Sequence, residues 1–210
     1  MSTYTYLALG DSYTIGESVP LYESFPCQAV QLLRKAGHRF NAPEIIAKTG
    51  WTTDELFSNI THTRLQPPYD FVSLLIGVNN QYRGRTVDEY KTQFTELLQQ
   101  SIAFSNSDPS RVMVLSIPDW GITPFASGRD QQKISGEIDA FNAVNKSIAE
   151  KFKTHYIDIT PGTREAAQDE SLLAADKLHP SGKEYGRWAA EVVRMILARI
   201  RHKVQGTRSK

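Results

Sequence analysis

The sequence predicts an α/β protein: a three-layer α/β/α sandwich of flavodoxin-like kind, in which a five-stranded parallel sheet lies between two layers of helices. Two observations lead to this prediction. Short, mostly apolar runs that stop at glycine or proline are typical of buried parallel strands. They alternate strictly with longer stretches whose apolar residues recur at helical spacing. Such alternation implies parallel strands joined by right-handed crossovers, with helices on both faces of the sheet.

Five apolar runs are predicted to be the strands. The first ends at Gly10, where the backbone freedom of glycine would allow a sharp turn directly after the strand. The third run is the most apolar and stops at Gly77, and the fourth stops at Pro118. In chain order, the runs occupy residues 4–9, 44–48, 71–76, 112–117 and 156–159.

Five amphipathic patterns predict the helices. The first has Ser24 as a possible N-cap, Pro26 in its first turn and Gly37 at its end. The second begins at about Thr53 and is short, whereas the later three are long. The patterns cover residues 24–37, 53–60, 87–102, 134–152 and 185–200.

Length and charge predict one globular domain over residues 1–210. Of the 210 residues, 40% are hydrophobic and 22% are charged, which is ordinary for a soluble globular protein, and no linker divides them. The 24 basic and 23 acidic residues give a net charge of +1, which argues against nucleic acid or a membrane surface as partner. Only the tail at about 201–210 is basic, and we expect a frayed helix end there.

Cysteine content and the absence of targeting signals predict a cytoplasmic protein. The single cysteine, Cys27, excludes an intramolecular disulfide and is expected to be a small core residue. Met1 leads almost directly into the first strand, which leaves no room for a signal peptide, and no apolar run is long enough to insert into a membrane. Four of the five histidines are scattered without the spacing of metal ligands, so we expect neither a metal nor a cofactor.

Three of the predicted strands are followed by residues suited to chemistry. Because the carboxyl ends of parallel strands share one edge, where ligands bind in open α/β sheets, we expect these segments to converge. Ser12 is then a candidate nucleophile, although Gly-Asp-Ser alone is more often only a turn. The segments are Gly10-Asp11-Ser12, Thr49-Gly50-Trp51 and Gly77-Val78-Asn79-Asn80.

A fourth segment, Asp176-Lys177-Leu178-His179-Pro180, stands before the last helix. Its histidine follows an aspartate by three positions, in a loop made rigid by proline. A loop of this kind can present His179 to Ser12, with Asp176 holding the imidazole in its working tautomer.

Taken together, the four segments resemble the SGNH hydrolase superfamily, also known as GDSL esterases and lipases. The family is named for a serine, a glycine, an asparagine and a histidine in four blocks, which here are Ser12, Gly50, Asn79 and His179. The blocks extend from residue 10 to residue 180, so the resemblance covers nearly the whole chain. The family fold is a five-stranded sandwich of the kind that the strand and helix pattern predicts.

The resemblance implies a role for each of these residues. Ser12 would be the nucleophile, His179 the general base and acid, and Asp176 its orienting carboxylate. The oxyanion hole would consist of the backbone N–H groups of Ser12 and Gly50 with the side-chain amide of Asn79. The partner would be a small-molecule ester, and no cofactor is implied.

The chain departs from the family pattern at Asn80, where an aspartate is usual. Asparagine can replace several hydrogen bonds of that residue, so we expect Asn80 to support the position of Asn79. Asp11 is either a second support residue or a turn aspartate. Exposed aromatic and polar residues after strand ends are candidates for lining the substrate cleft. They are Trp51, Tyr82, Arg83, Asp119 and Trp120.

The functional prediction is a serine esterase that forms an acyl-enzyme and hydrolyses it with water. Short acyl chains are favoured, with an acetyl group on a carbohydrate as one candidate, because aromatic and polar loop residues suit a polar alcohol portion. The alternatives are a lysophospholipase or thioesterase, an acyltransferase with the same triad, and a non-catalytic α/β binding module. The sequence has no Gly-x-Ser-x-Gly motif, which argues against an ordinary α/β-hydrolase.

Overall fold

One parallel sheet forms the centre of the molecule. The computed structural model describes the backbone of residues 3–208 and the side chains of residues 3–201. The strands are β1 (Tyr6–Asp11), β2 (Glu44–Lys48), β3 (Phe71–Leu75), β4 (Val112–Leu115) and β5 (His155–Ile157). They form a five-stranded sheet in the order β2-β1-β3-β4-β5, and every neighbouring pair is parallel.

The helices pack in two layers against this sheet. They are α1 (Ser12–Ile15), α2 (Phe25–Lys35), α3 (Thr53–His62), α4 (Val78–Tyr82), α5 (Val87–Phe104), α6 (Gln131–Lys151), α7 (Thr160–Arg164) and α8 (Gly182–Arg208). Helix α2 packs against α8, whereas α5 contacts both α3 and α6. Right-handed crossovers lead from β1 to strands on both of its sides. They place α2 and α8 on one face of the sheet and α3, α5 and α6 on the other. The predicted α/β/α fold class is confirmed.

The sequence pattern does not reveal the three shortest helices. Helices α1, α4 and α7 contain only four or five residues each, and so short a segment shows no periodicity. The basic tail predicted to fray at about 201–210 lies almost entirely outside the residues whose side chains are described. Among the described residues, no helix combines the length and the apolar character needed to cross a bilayer.

The central strands are buried along their whole length because helices cover both faces. Every residue of β1 and β3 is buried, whereas the edge strand β2 is only partly buried. The single polar residue of β3, Ser73, shares a hydrogen bond of 2.7 Å with the hydroxyl of Tyr6 in β1. Such a partner offsets the cost of burying a hydroxyl group in an apolar core.

Gly10 is a strand residue and not the sharp turn that the sequence suggested. It pairs with Ala47 of β2 and Leu75 of β3, and β1 continues to Asp11 before α1 begins. A β-carbon at Gly10 would lie 2.1 Å from Thr14 Oγ1 and 2.4 Å from the carbonyl oxygen of Leu75. Glycine is therefore required by the close packing of α1 and β3 around the end of β1.

The order of the strands creates a crevice at the carboxyl edge of the sheet. Strand β2 lies on one side of β1, and β3 lies on the other. The chain segments that leave β1 and β3 therefore diverge to opposite sides, and ligands bind at such a switch point in open α/β sheets. Ser12, Gly50 and Asn79 all follow strands that end at this edge.

We expect Gly10→Ala to lower the free energy of unfolding by about 3 kcal/mol or more. Overpacking a core typically costs about 1–3 kcal/mol, and at Gly10 one of the close contacts is a backbone carbonyl that cannot rotate away. Urea unfolding followed by circular dichroism measures this loss.

The matched control is Gly136→Ala in α6, where a β-carbon meets nothing within 4 Å. Alanine in place of a glycine inside a helix should stabilise the protein by roughly 0.5–1 kcal/mol. A Gly10→Ala protein as stable as the wild type would contradict the close-packing explanation.

Candidate active site

The segment after β1 presents Ser12 at the crevice. Asp11 is the N-cap of α1, and its Oδ1 accepts a hydrogen bond of 3.0 Å from the Tyr13 N–H. Ser12 is the first residue of α1, and this one-turn helix ends at Gly16, whose φ is +78°. The N–H groups of a first helical turn have no partner within the helix, so α1 does not use the Ser12 N–H.

A second loop brings His179 to Ser12. The Oδ1 atom of Asp176 accepts hydrogen bonds from the N–H groups of Leu178 and His179, each of 3.0 Å. The carbonyl of His179 accepts a further bond of 2.8 Å from the Ala174 N–H. These bonds hold the backbone on both sides of the His179 side chain, which is buried.

Three side chains form a continuous hydrogen-bonded chain. His179 Nε2 lies 2.9 Å from Ser12 Oγ, and His179 Nδ1 lies 2.6 Å from Asp176 Oδ2. Because an ionised carboxylate can only accept, the proton between the last two groups is assigned to Nδ1, and Nε2 can accept the proton of Ser12. A hydroxyl beside a base that a carboxylate orients is the arrangement that activates serine for nucleophilic attack.

The carboxyl group of Asp176 is held in its charged form. Partial burial raises its pKa, but hydrogen bonds from Ser18, from the His179 side chain and from the loop backbone outweigh this effect and lower the pKa to about 2. Ser18 Oγ donates to Asp176 Oδ2 over 2.6 Å. Ser18 was not a candidate from the sequence because this contact joins segments 158 positions apart, and no motif marks it.

The side chain of Asn79 bonds to the segment that contains Gly50. Its Nδ2 donates to the Trp51 carbonyl over 3.1 Å and lies 3.5 Å from Asp11 Oδ2. Gly50 has a φ of +84°, in the left-handed region that favours glycine. Ser12, Gly50 and Asn79 all line the same cavity, so three groups that can donate N–H bonds border one space.

Asp11 is completely buried next to Ser12. Burial raises the pKa of its carboxyl to about 7, although hydrogen bonds from the Tyr13 N–H and the Asn79 amide lower it in part. The same carboxyl group therefore caps α1 and contacts Asn79.

A cavity of about 210 Å³ opens beside Ser12 and has mostly apolar walls. Tyr13 forms part of it, with its ring centroid 4.8 Å from that of the His179 imidazole. The sequence did not single out Tyr13. Among the described side chains, no cluster of histidine, cysteine, aspartate or glutamate could hold a metal ion.

Three aromatic rings form one wall of this cavity, and we call Tyr82, Trp120 and Phe125 the aromatic wall. The ring centroids of Tyr82 and Trp120 are 5.3 Å apart, and those of Trp120 and Phe125 are 6.0 Å apart. The Arg129 guanidinium lies 5.2, 5.3 and 5.7 Å from the three ring centroids. Cation–π attraction of this kind holds residues of separate segments together.

The structure places Tyr82 and Trp120 in the cavity wall but not Trp51, Arg83 or Asp119. Trp51 is partly buried and packs against the hydrophobic core. The buried carboxylate of Asp119 caps the helical turn that begins at Trp120 and accepts a bond of 2.8 Å from Arg164. Arg83 contacts the loop after β2. These three side chains do not line this cavity, so a contact between any of them and a substrate stays a prediction.

A family model and several solved structures are similar to the chain. The model of the GDSL-like lipase/acylhydrolase family matches residues 8–187, a range that includes every residue of the hydrogen-bonded chain at Ser12. The chain belongs to this family. Membership identifies it as a serine ester hydrolase of the SGNH/GDSL type.

The similar solved structures share the fold of this family member at low sequence identity. Axe2, an acetylxylan esterase from Geobacillus stearothermophilus, is 20% identical with a TM-score of 0.74, over 93% of this chain and 94% of that chain. A lipase/acylhydrolase from Enterococcus faecalis is 23% identical with a TM-score of 0.69, over 94% and 97%. TesA is 17% identical with a TM-score of 0.68, over 92% and 96%. No curated protein sequence matches the chain.

Asn80, where the GDSL family usually has aspartate, binds the first turn of α3. Its Oδ1 accepts a bond of 3.1 Å from the Thr53 N–H, and its Nδ2 donates to Thr53 Oγ1 over 2.7 Å. Thr53 in turn donates its hydroxyl proton to Gln93. An ionised aspartate at position 80 could not donate to a hydroxyl already engaged in this way, so asparagine suits this site.

The raised pKa of Asp11 predicts a pH dependence of stability. An unfolded aspartate has a pKa of about 3.9, whereas that of Asp11 in the folded protein is about 7. Between these values the folded state binds more protons, so this group makes the free energy of unfolding fall as the pH rises from about 4 to 7. Asp11→Asn cannot ionise and should lose this decrease. Urea unfolding at intervals between pH 4 and 8 measures both proteins.

Asp108→Asn is the matched control because hydrogen bonds to its neighbours, working against the effect of burial, lower the pKa of Asp108 to about 2. Its contribution changes only below about pH 4, so this variant should keep the wild-type slope between pH 4 and 7. If the free energy of unfolding varies with pH in the same way in the wild type and in Asp11→Asn, Asp11 is already ionised at pH 4 and the prediction is wrong.

Proposed function

We propose that this GDSL family member is an esterase that uses Ser12 as its nucleophile and hydrolyses short-chain carboxylic esters through an acyl-enzyme. The observation that carries the proposal is the hydrogen-bonded chain from Ser12 through His179 to Asp176, at the edge of a cavity. A serine hydroxyl is a weak nucleophile by itself and needs a base within hydrogen-bond distance.

The first half of the reaction acylates Ser12. Its Oγ attacks the ester carbonyl carbon while His179 Nε2 takes the hydroxyl proton, and the carbonyl oxygen becomes an oxyanion. Charged Asp176 stabilises the imidazolium that forms and keeps Nδ1 protonated. The tetrahedral intermediate collapses, the bond to the alcohol oxygen breaks, and His179 gives its proton to the departing alcohol.

The second half of the reaction releases the acid. Water enters the site and attacks the acyl carbon while His179 Nε2 accepts one of its protons. Collapse of the second tetrahedral intermediate breaks the bond to Ser12 Oγ, which takes the proton back from His179. The carboxylic acid leaves, and the serine and imidazole return to their starting forms.

The oxyanion would bind the Ser12 and Gly50 N–H groups and the Asn79 amide. One amide hydrogen of Asn79 serves the Trp51 carbonyl at 3.1 Å. The second hydrogen makes only a long bond of 3.5 Å to Asp11 Oδ2 in the free protein, and we assign it to the oxyanion once that charge develops. Donors arranged before the reaction stabilise charge that develops only in the transition state.

The size and walls of the cavity support a small acyl group. Its volume of about 210 Å³ is below the roughly 300–1,000 Å³ of sites that hold drug-sized ligands. The aromatic wall limits it on one side, and Tyr82 and Phe125 remain partly exposed, where an aromatic surface suits a carbohydrate. Acetyl esters of carbohydrates are therefore our first candidate substrates.

Substitution of Ser12 tests the proposed nucleophile. Ser12→Ala should abolish hydrolysis of 4-nitrophenyl acetate and leave the melting temperature nearly unchanged, because Ser12 serves the site and not the core. An organophosphonate should add one covalent group to the wild type, located on Ser12 by mass spectrometry, and none to the variant. The exposed Ser107 provides a control, since Ser107→Ala should be labelled like the wild type. Turnover by a folded Ser12→Ala protein would exclude the mechanism.

A series of esters tests the acyl preference. The value of kcat/KM should fall from acetyl and butyryl to decanoyl esters, because a long chain meets the aromatic wall. Phe125→Ala should reduce this discrimination, whereas Phe57→Ala, which removes a similarly exposed ring outside the cavity, should not. A wild-type preference for decanoyl esters would favour a lysophospholipase or thioesterase instead. Ester formation with an added sugar acceptor would favour an acyltransferase.

A further inference from the structure

Arg83 reaches from the end of α4 to the loop after β2. Its Nη2 donates to the Gly50 carbonyl oxygen over 2.6 Å, and its Nη1 donates to Glu55 Oε1 over 3.1 Å. The other carboxylate oxygen of Glu55 accepts a bond of 2.9 Å from the Thr52 N–H. The guanidinium is therefore held by an acid of α3 that is itself bonded to the loop backbone.

Two side chains bind successive carbonyls of the loop after β2: Asn79 lies within α4, and Arg83 directly follows this helix. Arg83 binds the carbonyl of Gly50, and the Asn79 amide binds the carbonyl of Trp51 at 3.1 Å. A bond from an ionised donor is about twice as strong as one between neutral groups. The Arg83 bond, at 2.6 Å, is also the shorter of the two constraints on the loop.

This constraint acts on a residue with unusual backbone freedom. Gly50 has a φ of +84° and no side chain that could fix its conformation by packing. A β-carbon at Gly50 would meet only Arg83 Nη2, at 3.6 Å, so the guanidinium covers the place where a side chain would stand. Rotation of the Gly50 backbone would redirect its N–H group, which glycine permits at little steric cost.

We propose that Arg83 is a positioning residue of the oxyanion hole: it holds the Gly50 backbone so that the Gly50 N–H and the Asn79 amide are aimed at the same oxygen. This inference rests on the proposed function, since it requires that Gly50 and Asn79 bind an oxyanion. Arg83 lies outside the cavity and acts only through Gly50.

A positioning role has a characteristic kinetic effect. The oxygen becomes fully charged only in the transition state, so misdirecting one donor should lower kcat and leave KM within about twofold. Outright loss of an oxyanion donor costs about a hundredfold or more in kcat, as we expect for Asn79→Ala, and a loosened donor should cost less. We expect about a tenfold loss of kcat for Arg83→Met.

Arg85 provides a matched control. It lies two positions further along and pairs with Asp54 in the first turn of α3 at 2.9 Å and with Glu89 at 2.9 Å. Arg85→Met therefore removes an ion pair to α3 like that of Arg83, together with the pair to Glu89 in α5, without touching Gly50. This variant should keep the wild-type kcat even if its melting temperature falls.

The experiment compares Arg83→Met, Arg83→Lys and Arg85→Met with the wild type. For each protein, kcat and KM for 4-nitrophenyl acetate, the rate of Ser12 labelling by an organophosphonate and the melting temperature are measured. The phosphonyl oxygen occupies the position of the oxyanion, so the labelling rate should fall in Arg83→Met by about the same factor as kcat. A lysine can bind the Gly50 carbonyl but lacks the two-pronged fork that also reaches Glu55, so Arg83→Lys should be intermediate.

Two results would overturn the inference. One is a folded Arg83→Met protein whose kcat and labelling rate equal those of the wild type. The other is an equal loss of both rates in Arg85→Met, which would indicate general loosening of α3. If Arg83→Met does not fold, a folded Arg83→Lys protein whose kcat and labelling rate equal those of the wild type would overturn the inference. The proposed function itself would be refuted if the wild-type protein neither hydrolyses the ester nor reacts at Ser12. Only this inference would be refuted if the wild type is labelled and the Arg83 variants keep its kcat and labelling rate.

Discussion

The close approach of α1 and β3 to the end of β1 is the constraint on which the site depends. Gly10 has no β-carbon, so Thr14 and the Leu75 carbonyl can both pack against the strand where a side chain would otherwise stand. One turn of helix can then begin directly after Asp11 and leave Ser12 at the switch point of the sheet. A wider spacing between β1 and α1 would move Ser12 away from His179, which is bonded to it from a distant segment.

Two carboxyl groups near Ser12 have opposite electrostatic environments. Asp176 is partly exposed and accepts four hydrogen bonds, so its pKa falls to about 2 despite its partial burial. Asp11 is fully buried with fewer donors, and its pKa rises to about 7. The charge at Asp176 can therefore stabilise an imidazolium at His179, to which it is hydrogen-bonded. Environments that separate the pKa values of neighbouring acids are a common means of assigning them different tasks.

Helix α4 and the residue after it connect several parts of the site. Asn79 borders the cavity, Asn80 binds the first turn of α3, Tyr82 joins the aromatic wall and Arg83 holds Gly50. These four residues therefore connect the segment after β2 and the first turn of α3 with the cavity beside Ser12. Because a single turn is marginal by itself, these contacts and the underlying sheet determine its position.

The sequence by itself determined the fold class and the four segments, around Ser12, Gly50, Asn79 and His179, that meet at the crevice. Apolar periodicity marks strands and helices locally, and the order of parallel strands then brings the ends of β1, β2 and β3 together. Only the tertiary structure shows that close packing requires a glycine at position 10 and that Ser18 binds Asp176. Only the tertiary structure shows, too, that Phe125 and not Trp51 lines the cavity. The contact of Arg83 with Gly50 is likewise visible only there. Each of these depends on the direction of a side chain across segments distant in the chain. Local pattern carries no information on that direction, because packing and hydrogen-bond partners select it only after the sheet has formed.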